Sequence, residues 1–279
     1  MKRLGIIFII LFLVVAAIAV TLGVYYFMVA KKPPAVETRE ILKKFSFSSP
    51  QSLEEWDEKI LAKDSTGYTV TELDGAKCVK AESVDSASAL FFKQRLTCKK
   101  EPFLSWDWKS DKFPGRKKKE NLKDKKEFDF VAQVYVVFYA RFFLNAKAIQ
   151  YIWTESVPEG TATDSPYTKK VKLLVLESGP SEEWKHEERD IKKDYLELFG
   201  EELDKDVDAI AFMTDADSTA TTASAYFKNI EFGYLGKPEE EPAVEVESEE
   251  KPKEEVKKQE DKKEEEKIPS DTINGKPEK

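Results

Sequence analysis

Asp129-Phe130-Val131-Ala132-Gln133-Val134-Tyr135-Val136-Val137-Phe138-Tyr139-Ala140-Arg141-Phe142 decides how this chain folds. Taken with a period of two, Val134, Val136 and Phe138 share one face, and Val131, Tyr135, Val137 and Tyr139 share the other. Apolar, β-branched and aromatic residues on both faces predict a strand in the middle of a sheet that is covered on both sides.

Shorter stretches of the same period flank it. Tyr68, Val70 and Thr71 lead into Asp74-Gly75, and Cys78 and Val79 follow, which predicts a hairpin around a primed turn. Further strands are expected at 88–94, 103–109, 149–153, 171–176, 207–213 and 223–232. The fold class is therefore mainly β, a β-sandwich or jelly roll. One short surface helix interrupts it. Asp190 caps that helix, Ile191, Tyr195 and Phe199 form its apolar stripe, and Gly200 stops it.

Outside the sandwich the chain changes character. Residues 4–30 carry no charge, and these 27 residues follow Met1-Lys2-Arg3. A bilayer core needs only about 20 apolar residues, so the run is expected to be an uncleaved signal anchor, one transmembrane helix. Its apolar core exceeds that of a cleavable signal peptide. Lys2, Arg3 and the amino terminus nearly balance Lys31 and Lys32 and mildly favour a cytoplasmic N-terminus, so the body of the protein is expected outside the cytoplasm, in the periplasm if the cell is bacterial. The tail, 237–279, holds 16 acidic and 10 basic residues and no aromatic ring, and is expected to be disordered. The organisation is then an anchor at 1–32, a linker at 33–41, a sandwich at 42–236 and the tail. A net charge of −8 concentrated in the tail gives no nucleic-acid footprint.

Candidate sites are few. Cys78 and Cys98 could pair in an oxidising compartment or stand as two buried thiols. His186 is the single histidine and lies among charged neighbours, which predicts an exposed side chain and leaves nucleophilic catalysis without a base. Asp215 and Asp217 alternate at a strand end, on one face, where they could hold a structural Ca²⁺, act as acid and base, or serve turn chemistry. Trp106 and Trp108 share a strand face, as do Tyr151 and Trp153. Such rings could stack on a sugar or fill the core between two sheets. The basic stretch 116–126 reads as a solvated loop, or as a contact for anionic headgroups or polymer.

Several motifs stand in one order: Leu104-Ser105-Trp106-Asp107-Trp108-Lys109, the strand from Asp129, and Tyr151-Ile152-Trp153 before Pro158-Glu159-Gly160. Val175-Leu176-Glu177-Ser178-Gly179, Glu188-Arg189-Asp190, Phe199-Gly200-Glu201 and Met213-Thr214-Asp215-Ala216-Asp217-Ser218-Thr219 continue it. In this order they resemble the bacterial domain-of-unknown-function family 3047. The resemblance implies an envelope or secreted protein with a jelly roll similar to galactose-binding-like domains, and it implies no established activity. Phe128 and Gln133 stand where the family tends to have an aspartate and an arginine. Lys228-Asn229 stands where it tends to have Gly-Asp, so a shared catalytic role would have lost charged groups here.

These features give two expectations. The first is a tethered, non-catalytic binding sandwich for an envelope carbohydrate or other envelope component. The second is a hydrolase or lyase using Asp129, Asp215 or Asp217, which requires these residues to meet in a cleft; a purely structural module would show no cleft.

Overall fold

The computed structural model describes residues 38–141 and 145–236. The expected anchor, 4–30, and the tail, 237–279, lie outside them. Among the described residues no helix is long and apolar enough to cross a membrane.

Among the described residues, thirteen strands and one α-helix follow in chain order: β1 Arg39–Phe45, β2 Asp57–Ala62, β3 Gly67–Leu73, β4 Ala76–Val84, β5 Ala87–Leu96, β6 Glu101–Lys112, β7 Ala132–Phe138, β8 Ala148–Thr154, β9 Ala162–Asp164, β10 Val171–Ser178, β11 Lys185–Asp190, α1 Ile191–Phe199, β12 Val207–Asp215 and β13 Thr222–Leu235. One sheet has the order β11-β6-β13-β4-β3, with β1 also on β13; the other runs β2-β5-β12-β7-β8-β10-β9. Pairing is antiparallel except between β8 and β10. The result is a jelly-roll sandwich, and β7 lies at the middle of its seven-stranded sheet, as its two apolar faces predict.

That central strand is shorter than the sequence suggests. Asp129 and Phe130 leave the ladder, because the Asp129 carboxylate accepts the amides of Ser218 and Thr219 and the Phe130 amide donates to Asp215. Val134, Val136 and Phe138 point into the core with Ile210 and Phe212 of β12 and Tyr151 and Trp153 of β8. On the other face, Tyr135 joins Ala87, Ala89 and Met213 in a smaller apolar cluster on the outside of the sheet.

Turn chemistry follows the sequence closely. Asp74 and Gly75 both take positive φ in a two-residue loop, the geometry that matches strand twist in a hairpin. Asp190 accepts the amides of Lys192 and Lys193, and Gly200 ends α1 at φ 70°. Helix α1 buries Ile191 and Tyr195. Strands β1, β2, β9 and β11 carry no apolar alternation and escape a sequence reading. Strand β1 begins at Arg39, inside the stretch read as a linker, and is mostly exposed. Strand β11, Lys-His-Glu-Glu-Arg-Asp, is polar throughout. Its alternate residues Glu187 and Arg189 lie opposite Trp106 and Leu104 of β6.

Candidate functional site

The two aromatic pairs are not a ligand platform. Trp106, Trp108, Tyr151 and Trp153 are each 0% exposed. Strand β6 belongs to one sheet and β8 to the other, so the ring-bearing faces meet across the core: Trp106 lies 5.4 Å from Tyr151 and Trp108 lies 5.6 Å from Trp153. The Trp153 indole donates to the Gly179 carbonyl at 2.8 Å, and the Tyr151 hydroxyl donates to Asp194 at 2.7 Å. A ring with no exposed face cannot stack on a sugar, and packing takes all four.

The cysteines remain thiols. Cys78 is buried in β4, and Cys98 lies in the turn after β5 rather than in a strand. Burial is the largest influence on each thiol and raises its pKa. His186 is exposed, as expected, with Nδ1 2.6 Å from Asp107, which also accepts from Asn229. The basic stretch is not simply solvated. Arg116 and Glu120 form a buried ion pair, their side chains 3% and 1% exposed, and Glu120 accepts the amides of Ser156 and Val157. Arg116 also donates to the carbonyls of Glu127 and Asp129, which fixes the loop that enters β7.

The structure brings Asp129, Asp215 and Asp217 together. One carboxylate oxygen from each lies within 4.8 Å of the others. The meeting follows from pairing β7 beside β12: Asp215 ends β12, Asp217 opens the following turn, and Asp129 crosses from just before β7. Asp129 accepts from Ser218 at 3.0 Å and Thr219 at 2.7 Å, and Asp215 accepts from Phe130 at 2.6 Å. Burial pushes the Asp215 carboxyl well above the usual carboxylate range. The Asp129 charge adds to this, and the Phe130 amide and nearby Gln133 oppose it. Asp217 is raised by burial first and then by Asp129.

Asp215 and Asp217 line a cleft of about 440 Å³ on the outer face of the seven-stranded sheet. Phe128, Tyr135 and Tyr167 supply rings, and Gln150, Ser165 and Thr168 supply polar groups. Tyr167 is 57% exposed and packs edge-on to Phe128 at 5.5 Å. Beneath them, Gln133 accepts from the Tyr135 hydroxyl at 2.8 Å and from Gln150 at 2.6 Å. Sequence reasoning reached Asp215, Asp217 and the possibility that Asp129 joins them. It missed Tyr135, Tyr167 and Gln150, because a half-buried Tyr on a two-faced strand and a Tyr in a polar loop carry no local signal.

The spacing limits the chemistry. Retaining glycosidases hold their two carboxyls roughly 5–5.5 Å apart and inverting ones roughly 6.5–9.5 Å, so that a sugar or a water fits between them. One oxygen from each carboxylate lies within 4.8 Å of the others, near the shorter of these spacings, and Asp129 is committed to two backbone amides while Asp215 and Asp217 line the cleft.

No curated protein matches this chain. Among solved structures it is similar to a family 11 carbohydrate-binding module of the cellulosomal cellulase Lic26A-Cel5E of Clostridium thermocellum, at 11% identity over 71% of this chain and 95% of that one, with a TM-score of 0.37. It is also similar to the xyloglucanase domain of NopAA from Sinorhizobium fredii, at 10% identity over 64% and 92%, with a TM-score of 0.39. A third is a family 12 xyloglucanase from Bacillus licheniformis, at 10% identity over 71% and 100%, with a TM-score of 0.35. At such values no property of these proteins passes to this chain. The family model described as "Protein of unknown function (DUF3047)" matches residues 54–231, more than half of the chain, and the chain belongs to that family.

Proposed function

We propose that this protein is a non-catalytic carbohydrate-binding sandwich, held outside the cytoplasm by the apolar segment 4–30, and that it binds along the cleft on its seven-stranded sheet. The cleft carries the reading. It joins the exposed Tyr167 ring and the half-buried Tyr135 ring to Gln150, Ser165, Thr168 and the two aspartates. Sugars present both an apolar ring face and a fringe of hydroxyls, and this combination of aromatic surface with convergent polar groups meets both. The commitment of both Asp129 oxygens to backbone amides supports binding over hydrolysis, and the uncharged run of 27 residues supports the tether.

Affinity electrophoresis of the full-length chain against neutral envelope and plant polysaccharides tests the binding. Retardation by at least one polymer is expected. Tyr167→Ala should abolish it with an unchanged melting temperature, since that ring stands on the surface. Retardation that survives Tyr167→Ala moves the site elsewhere, and release of reducing ends from a retarding polymer makes the protein a hydrolase.

A further inference from the structure

Among the described residues, four ionisable side chains are buried as whole residues: Glu120, Asp129, Asp194 and Asp215. Two of them are matched by arginine. Arg116 holds Glu120, and Arg189 holds Asp194 through two hydrogen bonds of 2.8 and 2.6 Å. Asp129 and Asp215 are held differently, by the backbone amides of Ser218, Thr219 and Phe130, and Asp217 adds a third carboxylate to them. No ion pair among the described residues includes any of the three. Lys63, the lysine beside them, gives its ammonium to Asp85 and to the Asp217 carbonyl.

A second observation points to a missing ligand. Gln133 is fully buried, and its Oε1 is taken by Tyr135 and Gln150. That bonding fixes which way the amide faces, so Nε2 is turned toward the Asp215 carboxyl and lowers its pKa, yet no acceptor among the described residues stands at full hydrogen-bond geometry to it. A buried donor without a well-placed acceptor is destabilising. An oxygen seated at the triad would receive it.

We propose that Asp129, Asp215 and Asp217 bind a divalent cation of the calcium class beside the cleft, and that Gln133 donates to an oxygen in the remainder of the ion's shell. The geometry fits a hard cation. Calcium takes oxygen ligands at roughly 2.3–2.6 Å, so ligands around one ion lie within about 5 Å of each other. The three oxygens meet that limit at 4.8 Å. Asp129 is pre-oriented by its two amides and Asp215 by one, which leaves their other lone pairs free for the ion. The site stands on the triad and Gln133, whether or not the cleft takes a sugar.

Isothermal titration of the full-length chain, freed of metal by a chelator, with CaCl₂ alone is expected to show one site. The melting temperature should rise by several degrees at saturating calcium, because only the folded state offers the ligands. Asp217→Asn, at a half-exposed position, should weaken binding at least tenfold. If that variant does not fold, Tb³⁺ added to the unaltered protein reads the same site through emission sensitised by Tyr135 and Tyr167, quenched by excess calcium. No binding of Ca²⁺, Mg²⁺ or Mn²⁺ at millimolar concentration, no sensitised emission, or an Asp217→Asn variant that binds as the parent does would each overturn the site.

Discussion

Glu187 shows how one residue can carry a condition for stability. It lies opposite Trp106 on an otherwise polar edge strand. Burial pushes its carboxyl up to about 7, and the neighbouring Glu177, itself raised by burial, adds to this. A carboxyl whose folded pKa lies above its unfolded value near 4.3 favours the folded state fully at low pH. That contribution is lost as pH rises from the unfolded value to about 7, because the unfolded chain ionises there while the folded protein still holds a half-buried acid protonated. The melting temperature of the protein should therefore fall between about pH 4.5 and 7 and level off above that. Glu187→Gln should flatten the slope and raise stability at pH 8, and parallel melts of parent and variant across that interval check it. An unchanged slope would leave the pH response to other groups.

At the scale of the element, β13 governs one sheet. Its fourteen residues pair with β6 along one side. On the other side Thr222–Phe227 pairs with β4, and the stretch from Ile230 to Leu235 pairs with β1. Where β1 crosses, a Cβ on Gly233 would meet the Glu40 carbonyl oxygen at 1.9 Å. Gly233→Ala must push β1 off the sheet, and overpacking of this kind costs typically 1–3 kcal/mol. A lower melting temperature with early amide exchange at 39–45 is expected; loss spread evenly over the sheet would contradict it. This element also marks what a sequence can disclose. The strands β3 to β8, β10, β12 and β13 were legible because their alternation or double-faced apolarity reports burial directly. So were Asp74-Gly75, Asp190 and Gly200, whose chemistry is local. Strands β1, β2, β9 and β11 were not, since edge strands satisfy backbone bonds without apolar side chains. The site was half legible. Asp215 and Asp217 lie two residues apart, whereas Asp129 and the cleft tyrosines meet them only through strand order.

The whole molecule separates two jobs between the two faces of its seven-stranded sheet. The inner face, with Tyr151 and Trp153, meets Trp106 and Trp108 and holds the sheets together. The outer face carries the cleft. Trp153→Ala should cost about 3–5 kcal/mol as a cavity opens, without altering ligand affinity in the fraction that folds. Chemical denaturation beside affinity electrophoresis checks this, and lost affinity in a well-folded variant would return the ring to the site. Strand β1 has one more consequence, in time rather than space. Lys44 meets Glu231 across 187 positions of the chain. During synthesis β1 emerges first, and its partner strand is nearly the last part of the domain to be made. The six-stranded sheet then cannot close on the ribosome until almost the whole domain has been translated. Contacts this distant slow folding, and the exposed edge of the nascent sheet must be kept from pairing with other chains throughout that wait.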